Sequence, residues 1–277
     1  MNFFDALFIN PLLFYSLLAG LMASVVGGIV GSYVVVKRIV FVSGSISHSV
    51  LGGIGLCLYL QRVVGIDWIS PLYGALLAAI LSALLIGYIH LQYAQRVDTA
   101  IAAIWSVGMA TGVIFISQTP GYNVELNQFL LGNILWVSPD DLRLLGFLNL
   151  VVIALVVPLH KRFLSICFDE DQTRIQGLPV RALYLLLLIL IAITIVILIQ
   201  VVGIILVMTM LTIPAAIANL FTGRLSTMMF LAVGINSLFC LSGTYIAYDL
   251  DWPVGATIAL VAGASYCLGL LTMRKTR

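Results

Sequence analysis

One histidine inside an apolar segment is the residue of this sequence best placed to do chemistry. His48 follows the basic pair Lys37-Arg38 by ten residues and lies in a stretch apolar enough for a membrane helix. An ionisable side chain inside a membrane usually marks a pathway or a binding site. At helical spacing, His48 shares its face with small residues that allow a second helix to approach closely: Gly44, Ser45, Gly52 and Gly55. The sequence therefore predicts that His48 lines an intramembrane path, where neutral imidazole is a good ligand for a divalent metal ion.

Two other interpretations of this histidine stay open. His48 could simply hydrogen-bond to a neighbouring helix, or it could act with Ser45, three residues before it on the same face, as in an intramembrane serine hydrolase. No orienting acid and no second glycine loop lie at that depth, so the hydrolase has little support. The zinc-protease signature H-E-x-x-H is absent, and His90 and His160 are expected at the surface of the inner membrane ends. We predict that the chain is not an enzyme.

The composition is that of a membrane protein. The 277 residues are 62% hydrophobic and 9% charged, with a mean hydropathy of +1.17, whereas soluble domains carry about 25% charged residues. Apolar runs long enough to cross a hydrocarbon core of about 30 Å recur along the whole chain. We predict one all-α polytopic bundle, residues 1–277, with eight or nine transmembrane helices and no nucleic-acid partner. The nine candidate spans are 11–36, 39–60, 71–91, 99–117, 141–159, 181–200, 204–222, 227–247 and 253–273.

The cysteines and the first ten residues add two smaller expectations. Residues 1–10 have neither a basic region nor a small-residue cleavage site, so a cleaved signal peptide is not expected. The cysteines are far apart and lack CxxC spacing, which predicts buried thiols rather than disulfides or a metal cluster. They are Cys57, Cys167, Cys240 and Cys267.

The distribution of charge predicts the orientation. If the Lys37-Arg38 turn is cytoplasmic, the N-terminus is outside, the C-terminus is inside, and all Lys and Arg residues except Arg62 and Arg143 are inside. Most acidic residues are then outside, and an acidic mouth concentrates cations. Positive-inside bias alone would also leave acids outside. The outer acids are Asp5, Asp67, Glu125, Asp140, Asp141, Asp249 and Asp251, and we expect Glu125, Asp249 and Asp251 to act as a metal-attracting funnel.

The connection between the sixth and seventh spans is unusual. The segment 200–203 is too short and too apolar for an ordinary loop, and Pro214 interrupts the run that follows. Broken helix is tolerated at membrane depth where it lines a cavity or is buried in protein. Gly203 and Pro214 are therefore candidates for a gate, with a simple proline kink as the alternative.

The segment 161–180 is the only sizeable cytoplasmic loop that we predict. Within it, Asp169 can cap a short helix, Gln172 has capping-box spacing, Gly177 suits the position after the helix, and Pro179 ends it. Such a surface helix could press into a groove of a cytoplasmic partner, although it could equally be an ordinary connection. The chain has no phosphate-binding G-x-x-x-x-G-K-[ST] motif, so ATP-driven transport would need an ATPase on another chain.

Several short motifs, in this order, resemble the membrane permeases of zinc and manganese ABC importers, which are related to vitamin B12 and siderophore permeases. The resemblance covers about residues 10–270. The motifs are GSYVVVKR at 31–38, SHSVLGG at 47–53, DTAIAAIW at 98–105, LLGNIL at 130–135, FDE at 168–170, GL at 177–178, VGIILV at 202–207, IPAA at 213–216 and DWPVG at 251–255.

This resemblance implies a type II ABC importer-like fold in the plasma (inner) membrane of a prokaryotic cell. It implies a second copy of the chain, a cytoplasmic ABC ATPase dimer that holds the ATP, and an extracytoplasmic metal-binding protein, with no permanently bound cofactor. Arg62 and Arg143, as the only outer cations, would dock the binding protein, unless Arg143 merely pairs with Asp140. The residues implied to couple to the ATPase are Phe168, Asp169, Glu170, Gly177 and Leu178.

One departure from the family pattern concerns the cargo. Many members carry an aspartate four residues before the motif histidine, where this chain has Gly44. Without that carboxylate, His48 needs ligands from elsewhere, and imidazole suits zinc better than manganese. The expected function is import of a divalent metal, with zinc favoured and manganese or iron possible. An ion-coupled secondary metal transporter is the alternative.

Overall fold

The computed structural model describes residues 3–93, 97–121, 129, 132 and 134–273, and these residues form helices and connections without a strand. A short 3-10 turn, Ile134–Trp136, precedes α6. The helices are α1 (Phe3–Ile9), α2 (Pro11–Val36), α3 (Val40–Arg62), α4 (Pro71–Gln92), α5 (Val97–Gln118), α6 (Pro139–Phe168), α7 (Glu170–Ile175), α8 (Val180–Val202), α9 (Ile204–Phe221), α10 (Leu225–Leu250) and α11 (Val254–Met273).

Nine helices in the described part of the chain are long and apolar enough to cross a membrane: α2 to α6 and α8 to α11. This confirms the predicted all-α polytopic class, and most predicted span boundaries agree within about two residues. Capping residues explain the starts. Asn10 and Ser70 each accept a hydrogen bond from a backbone N–H two residues later, and each precedes a proline at the first helical position.

The largest difference from the sequence prediction is the length of α6. The span was expected to end near residue 159, and 161–180 was expected to be a loop, but the helix continues to Phe168. Phe163, Ile166 and Cys167 are buried, so an apolar face at helical spacing extends beyond the basic pair Lys161-Arg162. No cysteine of the described residues forms a disulfide, and Cys57, Cys167 and Cys240 are buried as predicted, whereas Cys267 is exposed.

The first of two compact units contains residues 1–38, 128–154 and 197–277. Small residues of α2 allow its neighbours in this unit to approach closely. A Cβ atom at Gly28 would lie 2.6 Å from the backbone nitrogen of Val233 on α10, and one at Gly31 would collide with the Leu211 carbonyl oxygen on α9. Gly28 and Gly31 therefore let α2 pack closely against α10 and α9, as small residues do between membrane helices.

The second unit contains residues 39–127 and 155–196. Its helix α3 packs against both α4 and α5. A Cβ atom at Gly53 would collide with the carbonyl oxygen of Gly74 on α4, and one at Gly52 would lie 2.8 Å from the carbonyl oxygen of Gly108 on α5. The outward side of α4 carries large exposed side chains, as expected for a helix that faces lipid: Leu77, Leu81, Leu85 and Tyr88.

Only Gly203 separates α8 from α9. Its φ of 81° and ψ of 161° lie in a region that side chains with a Cβ atom rarely adopt. A glycine is therefore required at this break, and the sequence-based prediction of an unusual connection at 200–203 is confirmed. Pro214, by contrast, lies inside α9, which continues without interruption to Phe221.

The helix tolerates Pro214 because a neighbouring side chain satisfies the carbonyl group that the proline leaves free. Proline has no N–H to donate to the residue four positions earlier, which is Met210. The buried Asn236 of α10 donates its Nδ2 to the Met210 carbonyl oxygen at 3.3 Å. Asn236 thus replaces the missing helical hydrogen bond in a setting where water cannot.

We predict that the stabilising effect of Asn236 depends on Pro214. Asn236→Ala should destabilise the purified protein by about 0.6 to 1 kcal/mol, which spans the average from double-mutant cycles and the lower values from model peptides for polar contacts between membrane helices. In a Pro214→Ala background, where residue 214 regains its N–H, the same change should cost clearly less. Thermal unfolding of the four variants in detergent measures both differences.

The matched control is Ser237→Ala, because Ser237 donates to Val233 of its own helix. Its cost should be equal in both backgrounds. Equal costs of Asn236→Ala in the two backgrounds would contradict the assignment of Asn236 to the carbonyl group left free by the proline.

Candidate functional site

His48 lies in the first half of α3, on the side that faces α5. Its imidazole stacks on the indole of Trp105, with ring centroids 4.4 Å apart and planes inclined by 10°. The Trp105 Nε1 in turn donates to the sulfur of Met109 at 3.3 Å. A residue of the same helix therefore fixes the orientation of the Trp105 indole, which covers one face of the imidazole.

The close packing of α3 and α5 holds these two rings in register. Ser45, three residues before His48, donates its hydroxyl to the Ile101 carbonyl oxygen at 2.9 Å. One turn beyond the histidine, Gly52 faces Gly108, and Gly55 similarly faces Gly112, where an added Cβ atom would lie 2.6 Å from the carbonyl oxygen. The small-residue face predicted around His48 is thus confirmed as a helix contact.

One nitrogen of the imidazole is left without a partner in this arrangement. The Nδ1 atom of His48 is buried, and no described residue forms a hydrogen bond with it. A buried polar atom without a partner costs about 1–3 kcal/mol, so it calls for an explanation such as a functional role. Since Trp105 contacts the ring face, the lone pair of a ring nitrogen, which lies in the ring plane, remains directed away from the indole. A metal ion binds imidazole through that lone pair.

The same contacts weaken the hydrolase interpretation. Ser45 directs its proton to a backbone carbonyl group of α5 instead of to His48. A nucleophilic serine must donate its hydroxyl proton to its general base. Ser45 does not form that hydrogen bond with His48, because it donates to Ile101.

The predicted acidic ligands take different positions. Asp251 ends α10 in the left-handed conformation, with φ of 58°, and donates its backbone N–H to the Ala247 carbonyl oxygen. Asp249 and Asp251 are both exposed, as an outer funnel requires, and Glu125 lies outside the described residues. Among the described residues, no group of three His, Cys, Asp or Glu side chains is arranged to hold a metal ion.

The two cations predicted to lie on the outer face also differ from each other. The Nη1 atom of Arg143 lies 2.7 Å from the Oδ1 atom of Asp140, and the two side chains are 80% and 83% exposed. This favours the simpler interpretation of Arg143 as part of a local ion pair. Asp141 belongs to the start of α6, since it accepts hydrogen bonds from the backbone N–H and the hydroxyl of Ser138. Arg62 is exposed at the end of α3.

The short helix α7 has the predicted ends. Asp169 caps it by accepting from the Gln172 backbone N–H at 2.9 Å. The reciprocal half of a capping box does not form, because the Asp169 N–H donates to the Ser165 carbonyl oxygen, in continuation of α6. At the other end Gly177, with φ of 75°, closes the helix, and the Leu178 N–H returns to the Thr173 carbonyl oxygen.

Helix α7 has an inner and an outer side. Thr173 is fully buried and shares a hydrogen bond of 2.6 Å with Ser165 of α6, and Glu170 is also turned inward. The large apolar side chains Phe168 and Ile175 are 67% and 86% exposed. Exposed apolar residues beside charged ones are typical of a protein interaction site.

Sequence reasoning missed the role of Trp105. It was part of the DTAIAAIW motif, but nothing in a single sequence says that the second and fourth spans are neighbours. The available signal was a pair of glycines about one helical turn apart on each span, Gly52 with Gly55 and Gly108 with Gly112.

The fold is that of a polytopic α-helical membrane protein, with a histidine packed between two of its helices and a short helix whose ends carry exposed apolar side chains. Residues 10–273 match the ABC 3 transport family, and the chain belongs to that family. The resemblance to metal ABC permeases is thereby confirmed.

Individual relatives cover nearly the whole chain. The "Probable metal transport system membrane protein" of Chlamydia pneumoniae is 52% identical over 93% of this chain and 88% of its own length. The "Manganese transport system membrane protein MntC" of Halalkalibacterium halodurans is 30% identical over 96% and 89%. Among solved structures, PsaBC from Streptococcus pneumoniae in complex with Fab superimposes with a TM-score of 0.83 at 29% identity, over 96% of this chain and 94% of that chain.

We predict that Trp105 restricts access to the imidazole of His48. In Trp105→Ala the covered ring face opens, so carbethoxylation of His48, located by mass spectrometry, should become several-fold faster. Trp105→Phe retains an aromatic ring over the imidazole and should change the rate little. His90 and His160 in the same sample serve as internal controls, and a rate for His48 that does not respond to Trp105→Ala would contradict the stacking.

Proposed function

We propose that this chain is the permease subunit of an ABC importer that moves a divalent metal ion into the cytoplasm. The observation that carries the proposal is His48, whose buried Nδ1 has no partner among the described residues while its ring is fixed between α3 and α5. Family membership supplies the transport class. Transient binding through one imidazole suits passage better than a closed cage, because a permeating ion must also leave.

The choice of metal rests on two observations that point in different directions. A relative at 30% identity is named a manganese transport protein, which supports manganese. The imidazole of His48 and the glycine at position 44 support zinc, since nitrogen ligands favour zinc and manganese prefers oxygen. We propose zinc on the chemistry of the residues, with manganese as the second candidate.

The proposed assembly contains two copies of this chain, two ATPase subunits and an extracytoplasmic metal-binding protein. The absence of a phosphate-binding motif in the sequence supports a separate ATPase, for which the exposed side of α7 offers the contact. Arg62 is exposed at the end of α3, which supports docking of the binding protein there. The exposed Asp249 and Asp251, together with Glu125, would form the funnel that attracts the cation. The chain would lie in the plasma membrane of a prokaryotic cell, N-terminus outside.

A gate at the junction of α8 and α9 is part of the same proposal. Gly203 is a single-residue break that can absorb a change in helix direction. Pro214 supports local rearrangement, because its missing hydrogen bond is replaced by a side chain of another helix, Asn236. Side-chain hydrogen bonds between membrane helices are weak enough, at about 0.6 kcal/mol on average, to exchange during a transport cycle.

The first test is metal uptake by the reconstituted complex. In liposomes that contain this chain, its ATPase and its binding protein, His48→Gln should lower the initial rate of uptake at least about ten-fold, since even loss of a residue that orients a metal ligand typically costs about 10- to 100-fold in metal affinity or activity. His160→Gln, a histidine outside the proposed path, is the matched control.

Uptake at the wild-type rate in His48→Gln would make this histidine structural. Uptake by the purified chain without an ATPase would instead establish a secondary carrier. Competition between radioactive zinc and manganese in the same liposomes decides the cargo: preference for manganese would overturn the zinc assignment but leave metal import intact.

We also predict that the exposed apolar side chains at α7 contact the ATPase. Ile175→Asp places a charge where an apolar anchor would be buried, and loss of such an anchor typically costs at least about 2 kcal/mol of binding energy. The permease should still fold, because Ile175 is 86% exposed. Co-purification of the ATPase and metal-stimulated ATP hydrolysis are the readouts.

Phe221→Asp is a matched control, since Phe221 is also an apolar residue, 69% exposed at a helix end, and lies outside the proposed contact. Normal association of the ATPase with Ile175→Asp would remove α7 from the interface.

A further inference from the structure

Three side chains from three helices of the second unit meet at the start of α7: His90 of α4, Glu170 of α7 and Tyr184 of α8. The Nε2 atom of His90, near the end of α4, lies 3.5 Å from the Oε1 atom of Glu170, the first residue of α7. The His90 ring also packs on Tyr184 of α8, with centroids 4.8 Å apart and planes inclined by 34°. His90 thus connects α7, α4 and α8, which the sequence-based expectation of a surface histidine did not include.

The position of this contact on α7 distinguishes it from an incidental surface pair. Glu170 and Thr173 are three residues apart on the inner side of α7, and Thr173 is fully buried against Ser165 of α6. The side chains of His90 and Glu170 are only 30% and 25% exposed, so solvent screens them less than it screens a typical surface pair. Glu170 therefore attaches α7 to α4, while the opposite side of α7 stays exposed.

Helix α4 in turn is attached to the helix that carries His48. Ser82 of α4 donates to the hydroxyl oxygen of Ser49 at 2.8 Å, and both side chains are buried. Gly53 and Gly74 bring the two backbones into contact. Ser49 is the residue that follows His48 in the sequence. A continuous set of packed groups therefore leads from α7, through His90 and α4, to the neighbour of the proposed metal ligand.

We propose that His90 is a positioning residue that fixes the ATPase-contacting helix α7 to the end of α4, so that movement of α7 is transmitted to α4 and to the His48 helix. This inference rests on the proposed function, because it assigns α7 to the ATPase contact. Without the His90–Glu170 pair, α7 can shift on its connections to α6 and α8, and ATP hydrolysis no longer moves α4. Coupling between the ATPase contact and the His48 site requires a structural element whose position responds to both, and α4 is that element in this proposal.

The first experiment tests the attachment in the purified chain, without any partner. His90→Ala should speed hydrogen exchange of the 169–178 amides about five-fold, which corresponds to a modest loss of local stability. His90→Gln should keep the wild-type rate, since its amide nitrogen can take the place of Nε2. Gln92→Ala, an exposed position near the end of the same helix, is the control.

A double variant shows whether His90 and Glu170 act as a pair. If they do, His90→Ala with Glu170→Ala should exchange no faster than either single variant. Unchanged exchange in His90→Ala, or fully additive effects in the double variant, would overturn the attachment.

The second experiment measures coupling in the complete complex. His90→Ala should retain ATP hydrolysis, while the amount of metal imported per ATP falls at least about five-fold, the same factor as in the exchange experiment. His90→Gln should restore the amount of metal imported per ATP. Wild-type stoichiometry in His90→Ala would overturn the role in transmission. If the wild-type complex imports no metal at all, the proposed function fails, while the exchange experiment still decides whether His90 holds α7.

Discussion

The close approach of α3 and α5 is the contact on which the proposed site depends. Glycines on both helices bring the backbones together, so that an added Cβ atom at Gly52 or Gly55 would lie within 3 Å of a carbonyl oxygen of α5. In lipid, association of helices depends on such packing and on hydrogen bonds, because the hydrophobic effect does not favour it. At this separation the rings of His48 and Trp105 meet face to face. The stack is therefore a consequence of small residues one turn away.

Composition and periodicity were sufficient to predict the fold class and most span boundaries. The reason is physical: in a hydrocarbon core backbone polar groups must be hydrogen-bonded within the protein, and a helix does this inside one apolar run of this length. Local signals were equally reliable at α7, where Asp169 and Gly177 have the predicted capping roles. The end of α6 was missed, because the basic pair at 161–162 resembles the end of a span, while the buried Phe163 and Ile166 extend the helix.

Contacts between distant segments could not be predicted from one sequence. Trp105 and His48 lie on helices that are not consecutive, as do His90 and Glu170. Asn236 and Met210 lie on consecutive helices but are 26 residues apart. In each pair, one residue has a polar group whose need for a partner is evident from its surroundings: an intramembrane imidazole, a carbonyl group freed by proline, and an acid at a helix start. The sequence therefore indicated which groups need partners, but the identity of the partners follows from helix packing.

A single imidazole held by an aromatic ring has different consequences from a closed metal cage. A tetrahedral site with four protein ligands binds zinc strongly enough to contribute to folding, which would prevent release. In this chain Gly44 provides no carboxylate beside His48, and the indole of Trp105 occupies one face of the ring without donating a ligand. The imidazole is therefore oriented by packing, without a complete set of metal ligands around it among the described residues. An oriented, incomplete ligand set lowers the cost of binding while leaving the ion weakly held, and that combination is what passage through a membrane requires.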